Sequence, residues 1–356
     1  MSERRLQEIQ RHLETSSLDA FLVSHLPHVR YLSGFSGSNG LCLITRRRSH
    51  FFTDPRYREQ ARGEARTFAI HVSRESFPRA VLAASILRGK VRVGIESQYL
   101  SVAGLRQWKN SFRQAAFVPT THVIEAIAAV KDESEIEHLR QAAAISDRIF
   151  GSLLRILKPG IAELDVSAEI SYWNKRLGAE GDAFEPIVAS GVRGALPHGR
   201  ASGKKIRNGE FVTLDFGTLV KGYHSDLTRT VAVGKPSPRL KSMYALVLKA
   251  QRRAIDAAED GVRASTLDQF ARTIIRKGGL GRYFTHSLGH GLGIEIHEPL
   301  RLSAQSKEIL ESGNVVTVEP GVYIPGVGGV RIEDDIVIRH NGCEVLNRAP
   351  KELIVL

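Results

Sequence analysis

Residues 211–230 place the tightest constraint on how this chain can fold. They read Phe211-Val-Thr-Leu-Asp215-Phe-Gly, then Val220-Lys-Gly, then Tyr223-His-Ser-Asp226-Leu-Thr-Arg-Thr: two β-prone runs around a Lys221-Gly222 turn. Such a pair closes as an antiparallel hairpin. If Val220 faces Tyr223, Asp215 faces Thr228, and Asp226 becomes the diagonal neighbour of Asp215 on the same face. Diagonal neighbours lie roughly 7–8 Å apart at the backbone. Carboxylates converging from that distance can share metal ions about 3.5–4 Å apart, whereas a slip of one residue would put them on opposite faces. An isolated aspartate pair reads equally well as turn or edge residues, so other segments must decide.

Two further segments carry matching chemistry. His286-Ser-Leu-Gly-His290-Gly-Leu-Gly-Ile-Glu-Ile-His297 holds three histidines within twelve residues, punctuated by glycines that forbid a regular helix and let backbone pass close to a site. Val315-Val-Thr-Val-Glu319 ends an apolar strand on a glutamate, whose burial would cost several kcal/mol unless the charge is paired or bound to a cation. Glu333, in Gly328-Gly-Val-Arg331-Ile-Glu333-Asp-Asp, shares a strand face with Arg331 and Asp335, as a solvated polar face would. Together two aspartates, two glutamates and a histidine form a hard, oxygen-rich set with one nitrogen. It suits Mn²⁺, Co²⁺, Fe²⁺ or Zn²⁺ rather than a thiolate zinc site.

The chain divides into regions of different character. Up to about residue 125, short strand-like runs (19–24, 41–45, 51–53, 91–95) alternate with amphipathic helices (3–15, 56–64, 77–87, 101–114), which predicts an α/β domain. A long helix begins at Asp132-Glu133-Ser134-Glu135 and stops at Pro159-Gly160. Helices at 164–177, 238–258 and 266–277 then accompany β-rich stretches at 211–233, 314–324 and 329–347, predicting an α+β domain. The boundary falls near 125–132, with domains of 1–128 and 129–356.

Composition narrows the function classes. The net charge of +12 could signal nucleic acid, but no recognition motif accompanies it. The densest run, Arg46-Arg47-Arg48, lies where a charged turn is expected, so a solvated surface and no nucleic-acid partner are predicted. No apolar run approaches the roughly 18–20 residues that span a bilayer, and the polar N-terminus lacks a signal core, giving a cytoplasmic expectation with no membrane partner. Cys42 and Cys343, the only cysteines, read as reduced core residues.

The order of these motifs resembles the pita-bread metallopeptidases, in particular their aminopeptidase P and prolidase (Xaa-Pro peptidase) branch. The resemblance spans nearly the whole chain. Leu18-Asp-Ala-Phe-Leu-Val and Val29-Arg-Tyr-Leu-Ser-Gly-Phe-Ser-Gly-Ser are similar to the creatinase-type N-terminal domain, and the C-terminal half is similar to the pita-bread catalytic domain. It implies two divalent metal ions, manganese first, held by Asp215, Asp226, His290, Glu319 and Glu333, with Asp226 and Glu333 bridging. It also implies that His198 approaches substrate, that His297 holds the scissile carbonyl, and that His286 and Arg331 complete the substrate site. Glu319 doubles as the proton shuttle, and the catalytic set is His198, His297 and Glu319.

The implied activity is release of an N-terminal residue ahead of proline from small peptides, by a homodimer. The alternatives are an Xaa-Pro dipeptidase or a non-enzymatic pita-bread binding protein. Metal-free creatinase-like hydrolysis fits poorly with five retained ligands, and methionine aminopeptidase chemistry fits poorly with the long N-terminal domain. Two departures from the family pattern, at Gly191-Val192-Arg193-Gly194 and Phe184-Glu-Pro-Ile, are expected to line the pocket and bear on substrate choice.

Overall fold

A computed structural model describes residues 2–356. The chain forms two compact units, one up to Ile127 and the other Ala128–Leu356. No helix among the described residues is long and apolar enough to cross a membrane.

The first unit is built on a six-stranded sheet in the order Ala69–Val72, Ser49–Thr53, Gly40–Thr45, Ala20–Val23, Arg92–Glu96, Ala116–Thr120. Its inner three pairings are antiparallel, antiparallel and parallel, and both outer strands join in parallel. The inner strands are almost wholly apolar and buried, with Leu22, Leu43, Phe52, Val93 and Ile95 packing beneath Trp108. Arg46–Arg48 form the predicted turn between two strands. The two outer strands lacked a clear signal because they are only partly buried. A helix not anticipated, Leu26–Ser33, begins with a proline in its first turn and ends on Gly34 at φ 81°, a left-handed cap that favours glycine. The helix expected over 77–87 ends at Ala83; Ser85 turns left-handed, and Leu87 returns to the core on its own.

In the second unit the acidic start at 132–135 is a full capping box. Asp132 accepts the Ser134 and Glu135 amides, and Glu135 accepts the Asp132 amide. The helix it opens, Glu133–Ile156, packs with Glu163–Arg176 through Ile149, Leu153, Val166 and Ile170 onto Val188, Val212 and Leu214. A second helix pair, Pro238–Ile255 and Ala264–Lys277, contributes Met243, Val247, Leu267 and Ile275 to a separate core with Val316, Val318, Ile336 and Ile338. The sheets are antiparallel throughout, which with these helices makes the unit α+β.

The hairpin register is the one the sequence dictates: Val220 faces Tyr223 and Asp215 faces Thr228. The turn uses Lys221 and Gly222 at φ 52° and 80°, the two positive values a tight hairpin turn needs. The hairpin is split in the middle, however. Glu210–Phe216 pairs with Leu227–Val233, whereas Thr218–Val220 joins a different sheet. At the split a Cβ on Gly217 would lie 1.9 Å from the Ser225 carbonyl oxygen, so only glycine fits there.

Candidate metal centre

Each candidate ligand is carried on a strand end. Asp215 lies on Glu210–Phe216, and Asp226 immediately precedes Leu227. The Asp226 amide donates to Asp335 Oδ2 at 2.9 Å, which fixes the entry into that strand. His290 sits in Gly289–Gly291, where a Cβ on Gly289 would lie 1.9 Å from the Thr317 carbonyl oxygen. Glu319 follows Val315–Val318, its amide donating to the Leu288 carbonyl. Glu333 lies in the gap between Gly328–Arg331 and Asp334–Arg339, its amide donating to the Thr228 carbonyl.

These positions bring oxygen and nitrogen donors together. One ligand atom from each of Asp226, His290 and Glu333 lies within 4.8 Å of the other two. His290 Nε2 is 3.7 Å from Asp226 Oδ2 and 3.5 Å from Glu319 Oε1. Its Nδ1 is 3.0 Å from the Gly291 carbonyl, which can only accept, so Nδ1 carries the proton and Nε2 presents its lone pair. Asp215 is held differently: its Oδ2 accepts closely from the Arg331 guanidinium. Arg331 is itself buried, donating also to Thr228 Oγ1, Tyr323 Oη and the Pro197 carbonyl.

The cluster is electrostatically incomplete as a set of protein groups. Asp226 Oδ1 and Glu333 Oε1 are buried and have no hydrogen-bond partner among the described residues. Burial, then repulsion from Glu333 and Asp215, pushes the Asp226 carboxyl well above its ordinary range. Burial and repulsion from Glu319 and Asp215 do the same to Glu333. Glu319 is pushed up to about 8, chiefly by burial. Burial, then His297, lowers His290 to about 3, so it stays neutral and available as a ligand. Orphaned, convergent carboxylate oxygens beside a neutral imidazole fit divalent cations. The solvated face that Glu333 could have shared with Arg331 and Asp335 does not form, since all three are buried.

A cavity of about 270 Å³ opens over this cluster. All nine residues singled out in the sequence line it: His198, Asp215, Asp226, His286, His290, His297, Glu319, Arg331 and Glu333. His198 and His297 are exposed to it, and the His297 ring lies 4.4 Å from that of His290. His286 Nε2 is 2.9 Å from Tyr323 Oη, which in turn accepts from Arg331, so this histidine braces the wall.

Of the two departures from the family pattern, only Phe184 and Ile187 reach the cavity. Arg193 turns away to Glu163, and Glu185 pairs with Arg200, which corrects the expectation that these segments line the pocket throughout. Sequence reasoning missed Arg301, which lines the cavity and whose guanidinium has no hydrogen bond or ion pair among the described residues. The only signal for it is its pairing opposite His290, invisible until the strands are placed. Tyr323 was also missed, being indistinguishable from a core aromatic.

Two-layered in its chemistry, with apolar Phe184 and Ile187 beside a carboxylate and histidine cluster, the site is that of a metal-dependent hydrolase. The profile of the Creatinase/Prolidase N-terminal domain matches residues 5–130, and that of Metallopeptidase family M24 matches residues 137–340. The chain belongs to metallopeptidase family M24, whose members bind a dinuclear divalent metal centre, and it is a hydrolase with a creatinase-type N-terminal domain and a pita-bread catalytic domain.

The solved structure of an Xaa-Pro dipeptidase from Bacillus anthracis is similar at 41% identity and TM-score 0.96, with 100% of each chain covered. The Xaa-Pro dipeptidase of Pyrococcus horikoshii is 38% identical, with 98% of each chain covered. An X-Pro aminopeptidase from Thermotoga maritima is similar at 36% identity and TM-score 0.90, covering 97% of this chain and 100% of that one.

Proposed function

We propose that this protein is an Xaa-Pro dipeptidase whose five ligands Asp215, Asp226, His290, Glu319 and Glu333 hold two divalent ions. The observation that carries the reading is Arg301, on the wall of a small cavity, whose guanidinium has no partner among the described residues. A dipeptide places its free carboxylate one residue from the scissile bond. A guanidinium at that distance gives the carboxylate a charge-assisted, two-pronged partner. A longer peptide has an amide there and gains nothing from it. The cavity volume of about 270 Å³ lies just under the roughly 300–1,000 Å³ typical of drug-sized ligands, which suits a dipeptide. Two of the three relatives above are named Xaa-Pro dipeptidase, which supports the same reading.

Held by those five ligands, divalent ions would supply a water acidified to near neutrality and a Lewis acid for the carbonyl. The chain's own residues do the rest. His297 and His198 point their rings into the cavity and hold the carbonyl oxygen as charge develops on it. Glu319 moves the proton from the attacking water to the proline nitrogen, which has no hydrogen of its own. Phe184 and Ile187 offer the proline ring an apolar seat. His286, Tyr323 and Arg331 keep the opposite wall and Asp215 in place.

The test compares Ala-Pro and Ala-Pro-Ala with protein stripped by chelator and reloaded with Mn²⁺, Co²⁺ or Zn²⁺. Hydrolysis of the dipeptide is expected, and Arg301→Ala should raise its KM about 10- to 100-fold while leaving tripeptide cleavage unchanged, since a charged hydrogen-bonded pair is worth about 1.5–3 kcal/mol. Preferred cleavage of the tripeptide would favour the aminopeptidase reading, which the Thermotoga maritima structure supports.

A further inference from the structure

His297 presents a problem of positioning. Among the described residues no hydrogen bond holds its ring, yet the proposed reaction needs it fixed against the carbonyl. Its placement therefore depends on the loop 292–297, which also brings Ile296 to the cavity.

That loop is closed on itself by the next residue. Glu298 is buried; its Oε1 accepts the Ile294 amide at 3.1 Å, and its Oε2 meets Lys131 Nζ at 2.5 Å. The pair is almost sealed from solvent, with side-chain exposures of 2% and 4%. The space it occupies explains one of the glycines in the histidine motif. A Cβ on Gly293 would lie 2.2 Å from Glu298 Oε1 and 2.8 Å from Lys131 Cε. Lys131 projects from backbone that is itself fixed, its amide donating to the Gly313 carbonyl at 2.9 Å while Asn314 Nδ2 donates to the Ala129 carbonyl. The start of the loop is tied separately, through Leu292 to Val315 and through the His224 amide to Gly293. At the end that carries His297, the buried Glu298–Lys131 pair adds its side-chain hold to the backbone ties of Glu298 to Gly291 and of the Glu295 carbonyl to the Gly293 amide.

We infer that Lys131 and Glu298 are positioning residues that hold His297 in its working place through the loop 292–297. The inference rests on the proposed hydrolysis, in which His297 contacts the reacting carbonyl. Neither residue lines the cavity, so neither touches substrate. A displacement of the order of 1 Å at a reacting geometry can cost on the order of 100-fold in rate.

The test uses the metal-loaded full chain and four variants: Lys131→Met, His297→Ala, their combination, and Lys131→Met with Glu298→Gln. For Ala-Pro, Lys131→Met should lower kcat by about 10- to 100-fold with little change in KM. In the His297→Ala background the same change should cost less than about twofold, because residues acting as one unit are not additive. Amide hydrogen exchange in 292–298 should accelerate in Lys131→Met without substrate present. The double variant leaves no unpaired buried charge, and so guards against failure of the single one to fold. It should show intermediate exchange and intermediate kcat. Native kcat and native exchange in the variants, or losses that multiply with His297→Ala, would overturn the inference. If the native chain cleaves no Xaa-Pro dipeptide, the proposed function fails, and the exchange data alone decide whether the pair fixes the loop.

Discussion

Glu333 and Asp334 are neighbours in sequence, both buried and both acidic, yet their surroundings are opposites. Asp334 meets Arg229, Lys351 and Gln251, each at 2.7 Å. Burial alone would raise its carboxyl, but Arg229 and Lys351 hold it below its ordinary range. Glu333 receives a hydroxyl from Thr228 on one oxygen and nothing on the other, and burial with neighbouring carboxylates drives it upward. One acid has its cations supplied by the chain and serves the fold. The other lacks them, which supports its proposed role as a ligand to cations from outside. Burial by itself separates nothing here; the presence or absence of a built-in counter-charge does.

The sharpest way to break this comparison is to exchange the roles of the two acids. Glu333→Gln should cut metal-dependent hydrolysis by on the order of 10²–10³ or more, the scale of losing one key electrostatic group at a reaction centre. In chelator the same variant should be no less stable than the native chain, because it removes a buried carboxyl crowded by other acids, one oxygen of which has no partner. A clear loss of stability without metal would show that Glu333 is structural after all.

Asp334→Ala should do the reverse. Leaving Arg229 buried without its carboxylate should cost about 3–5 kcal/mol, read by urea unfolding in chelator. A cost below about 1 kcal/mol would put this pair among those worth no more than a surface ion pair.

A third, partly exposed acid calibrates the scale. Glu344 bonds Arg140 and Arg339, and Arg140 above all holds its carboxyl down to about 2 from an ordinary 4.5. Because its folded value lies below the unfolded one, the pairing stabilises above pH 4.5 and fades as pH falls towards 2. Being a third exposed and screened by solvent, it should contribute only about 0–1 kcal/mol. Glu344→Gln should flatten stability between those pH values by that small amount, and a larger change would mean that exposure is a poor guide to what an acid contributes.

The same contrast explains how much could be read from the sequence. The hairpin register, Asp215 against Thr228, was legible because one turn and a two-residue period fix it. The long helix from Glu133 was legible from its acidic start and its apolar stripe. Glu333 taken alone could equally have lain on a solvated face, since alternation cannot distinguish a strand facing water from one facing an internal polar site. Arg301 escaped notice because its significance lies in what it fails to pair with. The strands Ala69–Val72 and Ala116–Thr120 escaped because partly buried outer strands carry weak patterns. That all nine candidate residues line one cavity agrees with what the family resemblance implied; which acids the chain neutralises for itself required coordinates.

The central claim is that the unpaired carboxylates around His290 are completed by metal. Its most direct test is calorimetric titration of the chelator-stripped chain with Mn²⁺, beside Glu333→Gln and Asp334→Asn. Two ions per native chain, a loss of sites in Glu333→Gln, and retention of both in folded Asp334→Asn are predicted. Fewer than two ions on the native chain, or unchanged binding in Glu333→Gln, would contradict it.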